Sequence, residues 1–182
     1  MELSDLSYIG LITGGSEQAF DKLFIDWFGE LHAYAFSVLK DGTMAEEAIQ
    51  SVFCKIWEKR KQLQVQGSLK AYLYGCVYHE CMSWLRHEKH IKAYRSHVLR
   101  SGNRPVGEEA SDKAELGELE IRLKQALDEL PDQCRAIFQL SRFGGLKYKE
   151  IAEQLGLSVK TVEAQVSKAL KELRNKLADY LP

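Results

Sequence analysis

Between Leu146 and Leu177 the chain carries two helical patterns hinged on one glycine, and no other stretch limits the fold as tightly. Tyr148, Ile151, Ala152 and Leu155 recur three and four residues apart, giving a short helix an apolar face opposite Lys149, Glu150 and Glu153. Gly156 ends it, because a residue without Cβ adopts the left-handed conformation after a helix at no steric cost. Ser158 is placed to cap a second helix, expected to bury Val162, Val166, Ala169, Leu170, Leu173 and Leu177. A short helix, a glycine turn and a longer helix with a polar outer face form a helix-turn-helix pattern, whose second helix fits a DNA major groove. Without further signals, the same pattern also describes a hairpin whose polar face meets only water.

The remaining segments repeat the 3.6-residue period. Phe20, Leu23, Phe24, Trp27, Phe28, Leu31, Tyr34, Ala35 and Val38 line one helix that Ser16 can cap. After the Asp41-Gly42 break, Thr43 and Glu46 predict a capping box, and Ala45, Ala48, Ile49, Val52, Phe53, Ile56 and Trp57 form the next stripe. Ser68 predicts the cap of a third long helix running to about Tyr94, with Leu69, Leu73, Cys76, Val77, Trp84 and Leu85 inward. The period dissolves after Ser96 among glycine, proline and polar residues, and resumes with Leu116, Leu119, Leu123, Ala126, Leu127 and Leu130. Pro131 suits a first helical turn, and Ala136, Ile137, Leu140 and Phe143 supply the apolar side of the helix that follows. The expected fold is therefore all-α, with two small helical domains, 1–95 and 113–182, joined by a flexible linker, 96–112.

A formal net charge of -1 argues against a uniformly basic nucleic-acid binder, but the charges are segregated. Residues 1–54 hold two basic and nine acidic side chains, and residues 55–100 hold ten basic and three acidic. Residues 101–133 hold four and nine, and residues 134–182 nine and five. Two basic blocks separated by acidic ones suggest two nucleic-acid contacts, with acidic surface left for water or a basic protein. In the first basic block, Tyr78, His79, Met82, Ser83 and Arg86 share a helical face, and aromatic groups interleaved with cations suit unpaired DNA, whose bases stack while its phosphates are neutralised. Tyr72, Tyr74 and Trp84 are equally well read as core. Cys54, Cys76, Cys81 and Cys134 form no CxxC pair, so neither a disulfide scaffold nor a zinc ribbon is expected. No apolar run approaches the ~18 residues of a membrane span, and the acidic start differs from a signal peptide, so a cytoplasmic protein without membrane insertion is expected.

Three segments, in this order, resemble the extracytoplasmic-function group of bacterial sigma-70-type sigma factors. Ala45-Glu-Glu-Ala-Ile-Gln-Ser-Val-Phe-Cys-Lys-Ile-Trp57 is similar to their core-polymerase-binding helix. Ser68-Leu-Lys-Ala-Tyr-Leu-Tyr-Gly-Cys-Val-Tyr-His-Glu-Cys-Met-Ser-Trp-Leu-Arg86 resembles the segment that reads and opens the -10 promoter element. Leu127-Asp-Glu-Leu-Pro131 through Lys176 resembles the domain that reads the -35 element. The resemblance implies a chain with no catalysis, no cofactor and no metal. Its implied partners are core RNA polymerase, promoter DNA and a membrane-associated anti-sigma factor, the last from a recognition-helix wording similar to a Bacteroidota branch.

By the same resemblance, Glu47, Gln50 and Phe53 lie at the polymerase-docking surface. Tyr78, His79, Ser83 and Arg86 face the -10 strand, while Lys160, Thr161, Ser167 and Lys168 contact the -35 groove. The sequence departs from the family pattern at Ser51, where Glu is common, and at Glu80, usually apolar. His79 replaces a frequent Asn and Ser83 a frequent Asp. One alternative is a helix-turn-helix regulator that binds a palindrome as a dimer without polymerase. Another is a metal-dependent helical enzyme using Cys76 and His79, with nearby carboxylates.

Overall fold

The computed structural model describes residues 5–98 and 117–178, and the greater part of the expected linker 96–112 lies outside them. The described residues form eight α-helices and one 3-10 turn: α1 (Asp5–Thr13), α2 (Glu17–Leu39), α3 (Gly42–Glu58), the turn Arg60–Gln62, α4 (Leu69–Val98), α5 (Glu118–Asp128), α6 (Asp132–Arg142), α7 (Tyr148–Leu155) and α8 (Val159–Lys176). The all-helical expectation is met.

Capping sets most of the boundaries. Ser16 Oγ accepts from the Ala19 amide at 3.3 Å at the start of α2. At α3 the cap is Asp41, whose carboxylate accepts from the Met44 amide at 2.8 Å, rather than the expected Thr43. Asp and Thr compete for such sites, and here the aspartate two residues earlier takes the orphan amide and starts the helix sooner. Two side chains serve the N-terminus of α4: Ser68 Oγ accepts from Ala71 at 3.1 Å, and Asp5, from α1, accepts from Leu69 at 2.9 Å. Gly156 takes φ 65° after α7, and the Leu157 amide turns back to the Ala152 carbonyl at 2.9 Å. Ser158 then caps α8 by accepting from Thr161 at 3.0 Å. That turn closes the helix-turn-helix as the sequence indicates.

In the N-terminal half, α2, α3 and α4 pack on one another with α1 along α2. In the C-terminal half, α6, α7 and α8 pack together, with α5 against α8. The two halves also touch: α6 lies on α2 and α4, and α7 lies on α4, so the buried residues form one continuous cluster. This contact explains two departures from the sequence reading. Helix α6 is buried over Cys134, Arg135, Ala136, Ile137, Phe138, Gln139 and Leu140 because it has neighbours on opposite sides, whereas Phe143, expected inside, is 68% exposed. Leu170 of α8 is 51% exposed, since the helix turns that position away from α6.

Among the described residues, Arg135 is the buried charged group at this contact, only 5% exposed. Its guanidinium donates to the carbonyls of Val38 at the end of α2 (2.9 Å) and of Asp128 and Leu130 at the end of α5 and just beyond it (3.2 Å each), and to Asp132 Oδ1 at 3.1 Å. Tyr34, also buried, donates its hydroxyl to the Ala136 carbonyl at 3.4 Å across the same seam. Truncating Arg135 strands several buried acceptors, each costing about 1–3 kcal/mol when left unpaired. Arg135→Ala is therefore expected to lower unfolding free energy by about 3 kcal/mol, read as a reduced urea midpoint, with Arg135→Lys intermediate.

Candidate functional site

Three surfaces carry the residues singled out in the sequence. On α3, Glu46, Glu47 and Gln50 are exposed along one edge, with Gln50 Nε2 donating to Glu46 Oε1 at 3.3 Å. Phe53, grouped with them by resemblance, is instead 3% exposed. Its ring meets Phe24 edge-on at 4.9 Å between centroids and Phe20 at 5.9 Å, as buried aromatic pairs prefer. It forms the floor of an apolar groove lined also by Phe20, Phe24, Cys54 and Trp57, with Glu17, Asp21 and Gln50 around it. Phe53 supports this surface from beneath.

The second surface is the outer face of α4. His79, Ser83 and Arg86 are exposed, but Tyr78 is 6% exposed and its hydroxyl accepts from Gln133 Nε2 of α6 at 3.5 Å. Burial pushes the Tyr78 phenol up, against the hydrogen bond from Gln133 and the charge of Arg86, so it stays a neutral ring. His79 Nε2 lies 3.1 Å from the Gln154 carbonyl of α7. Tyr78, His79 and Arg86 thus line a cleft whose other wall is Asp132, Gln133, Leu155 and Leu157. Tyr74 is core at 3% exposed, and Tyr72 and Trp84 pack partly buried against that core.

The third surface is the outer face of α8. Lys160, Ser167 and Lys168 are exposed, and Thr161 is half-buried with its hydroxyl 2.8 Å from Ser158 Oγ. Thr161 thereby shares in the cap. Lys171 and Arg174, not singled out in the sequence, extend the exposed cationic positions toward the C-terminal end of the helix.

Between the first two surfaces stands a cluster that the sequence signalled only indirectly. Glu80 of α4 accepts from Ser51 Oγ at 2.9 Å, from Lys55 Nζ and from Trp84 Nε1 at 3.2 Å. Ser51 and Glu80 are two of the four departures noted above, and they are partners. A Glu at 51 would put two carboxylates together, whereas serine donates to the one present. Burial works to raise the Glu80 carboxyl, but the bonds from Lys55, Ser51 and Trp84 outweigh it and hold the group below the usual glutamate range. A folded-state value below the unfolded one stabilises the fold at neutral pH, and that contribution is lost as pH falls through the folded value. Glu80→Gln should cost about 1.5 kcal/mol at pH 7, and its difference from the parent in urea unfolding should shrink below about pH 4.

Among the described residues, no three His, Cys, Asp or Glu side chains stand close enough to hold a metal ion, and no helix is long and apolar enough to cross a membrane. Burial pushes the Cys76 thiol up and that of Cys81 to about 12, so both are protonated at neutral pH.

Comparison with known proteins agrees with the geometry. Residues 23–91 match the family "Sigma-70 region 2" and residues 120–173 match "Sigma-70, region 4". The extracytoplasmic-function RNA polymerase sigma factor SigK of Mycobacterium bovis is 23% identical over 165 residues, covering 90% of this chain and 88% of its own. The protein of that name in Mycobacterium ulcerans is 25% identical over the same shares. Among solved structures, the sigma factor RpoE in complex with the anti-sigma factor NepR from Bartonella quintana aligns with a TM-score of 0.67 at 24% identity, over 87% of this chain and 96% of that one. CnrH in complex with the cytosolic domain of CnrY gives 0.69 at 19% identity, over 96% and 97%. A dimeric helix-turn-helix regulator would account for α7 and α8 but not for the match over residues 23–91. With a region 2 match on the α3–α4 half and a region 4 match on the half that ends in the helix-turn-helix, the chain belongs to the extracytoplasmic-function group of sigma-70-type RNA polymerase sigma factors.

Proposed function

We propose that the three surfaces divide promoter recognition among them, residues 1–95 serving polymerase and the -10 element and residues 113–182 serving the -35 element. The exposed outer face of α8, held at its start by the Ser158 cap, carries this reading. Lys160 and Lys168 neutralise phosphates while Thr161 and Ser167 present small hydrogen-bonding groups to base edges, the division of labour expected of a recognition helix. Glu163 and Ala164 lie between them, so the face is only mildly cationic.

On the other half, Glu47 and Gln50 dock core polymerase and Phe53 shapes the surface beneath them. His79, Ser83 and Arg86 face the -10 strand, with Tyr78 joining them once region 4 leaves its hydroxyl. The protein performs no reaction of its own in this scheme and acts in the cytoplasm by differential binding: polymerase contacts give affinity and DNA contacts choose the site. An anti-sigma factor is the expected regulator, supported by the complexes of RpoE with NepR and of CnrH with CnrY. Its membrane association rests on the sequence resemblance.

Purified protein added to core polymerase on genomic fragments should create new run-off starts. Gln50→Ala is expected to weaken co-purification with core and reduce those starts without lowering the thermal midpoint, because Gln50 is exposed and bonded only to Glu46. Normal co-purification would remove Gln50 from the docking surface. In fluorescence titrations of -35 DNA, Lys168→Ala should lower the slope of log affinity against log salt by about one unit, as loss of one phosphate contact does. An unchanged slope would assign that contact elsewhere.

A further inference from the structure

Three helices enclose a cavity that none of the three surfaces uses. It measures about 530 Å³ and lies where α2 and α4 meet the C-terminal end of α6 and the turn after it. Cavities of roughly 300–1,000 Å³ between two packed units are typical small-molecule sites. The floor is aromatic: the Tyr34 and Tyr74 rings meet edge-on, 5.4 Å apart at an interplanar angle of 68°. Phe143 adds a third ring at the rim, where it is 68% exposed.

Several polar groups of the wall are already engaged. Tyr34 donates to the Ala136 carbonyl at 3.4 Å, Ser37 Oγ to the Tyr34 carbonyl at 2.7 Å, and Tyr74 to Glu30 Oε2 at 3.4 Å. Others are open. Gln139 is only 5% exposed, yet among the described residues its side-chain amide has no hydrogen-bond partner. It lines this cavity and a second one of about 250 Å³ beside it, so the amide opens onto free space rather than into packed core. An amide buried without partners carries a cost, which a bound group offering one donor and one acceptor removes. The Lys70 ammonium lies 5.9 Å from the centre of the Tyr74 ring and forms no ion pair among the described residues. A Cβ built on Gly145 would stand 3.9 Å from that ammonium, which places Lys70 beside the turn that follows Phe143. Glu30, on the α2 wall, has its second carboxylate oxygen without a partner among the described residues.

These groups select a ligand by their chemistry. The aromatic floor and Phe143 suit a flat ring. A simple aromatic acid satisfies Lys70 but brings a second anion toward Glu30 and leaves the amide unpaired. A nucleotide answers each group. Glutamine pairs with adenine N6 and N7 together, whereas guanine shows only acceptors on that edge. Ribose hydroxyls donate to a carboxylate, as in dinucleotide sites, and keep it apart from the phosphate that a lysine holds. We propose that this cavity binds an adenine mononucleotide, with Gln139 on the base edge, Glu30 on the ribose hydroxyls and Lys70 on the phosphate. None of these residues belongs to the polymerase or promoter surfaces, so the site is independent of the reading under Proposed function.

The test is isothermal titration calorimetry on the full chain with AMP, GMP and adenosine. AMP should bind with a dissociation constant of roughly 10–100 μM, and GMP at least about tenfold more weakly. Gln139→Leu keeps the volume of the side chain and its helix propensity, and should lower AMP affinity about tenfold while erasing the preference over GMP. Lys70→Met keeps the apolar stem, and should weaken AMP about tenfold while leaving adenosine unchanged. Because the nucleotide touches both halves, AMP should raise the thermal midpoint of the parent more than that of either variant. No saturable binding below about 1 mM AMP overturns the site, as does equal binding of AMP and GMP by the parent. An unchanged AMP affinity in folded Lys70→Met does so too. Tighter binding of a short adenine-only DNA strand than of AMP would make an unstacked base of DNA the occupant and sink the free nucleotide. Were Gln139→Leu to lose helicity by circular dichroism, the comparison of AMP with adenosine on Lys70→Met decides alone.

Discussion

A single guanidinium satisfies three backbone carbonyls at the ends of two helices. Helices end with carbonyls that have no intrahelical partner, and burying them requires a donor from elsewhere. Arg135 supplies it to Val38 near the end of α2 and to Asp128 and Leu130 at the end of α5 and just beyond it, with Asp132 balancing its charge. A cation at helix C-termini is also favoured by the partial negative charge there. Because the residue belongs to α6, the helix that touches both halves, it lets α6 be buried on opposite sides with these carbonyls paired, at the expense of its own Nε, which is buried without a partner. The packing of region 4 on region 2 depends on that satisfaction as much as on apolar area.

The same economy of partners appears between α3 and α4. Ser51 and Glu80 each look out of place when compared singly with the family pattern. Together they form a bonded pair, completed by Lys55 and Trp84, that ties α3 to α4. The carboxylate of this cluster stands on α4, with its donors Ser51 and Lys55 on α3. The local charge balance beside Lys55 is kept, and the orientation of Trp84 is set by a group on its own helix one turn away.

Much of this was legible in the chain because helices announce themselves locally. The 3.6-residue stripe from Phe20 to Val38, the serine caps at 16, 68 and 158 and the glycine at 156 depend on neighbours within a few positions, and each stands where the period puts it. The relation between the halves was not legible, since it turns on residues more than sixty positions apart. Gly75 reads as a weak point in a helix until Gln154 is seen filling it, and Arg135 reads as a surface cation on α6 until Val38 is seen accepting from it. For the same reason Phe143 and Leu170 were placed inside from their period alone, when neighbouring helices leave both exposed. Phe53 belongs to the apolar stripe by its period and to the docking surface by resemblance, and its burial follows the period; Tyr78 falls on an outward face by both readings, yet is buried with Gln133 of α6 bonded to its hydroxyl.

The mild charge of the α8 face has a consequence at the scale of the cell. Every phosphate a protein neutralises releases counterions, and nonspecific residence on DNA grows steeply with the number released. Helix α8 sets Glu163 and Glu172 among its cations, on a chain whose formal net charge is -1, and so releases fewer than a uniformly basic face would. The chromosome, with its vast excess of wrong sites, is then a poor sink for the free protein. A chain of this charge balance is therefore held less by bulk DNA than a uniformly basic one of the same size.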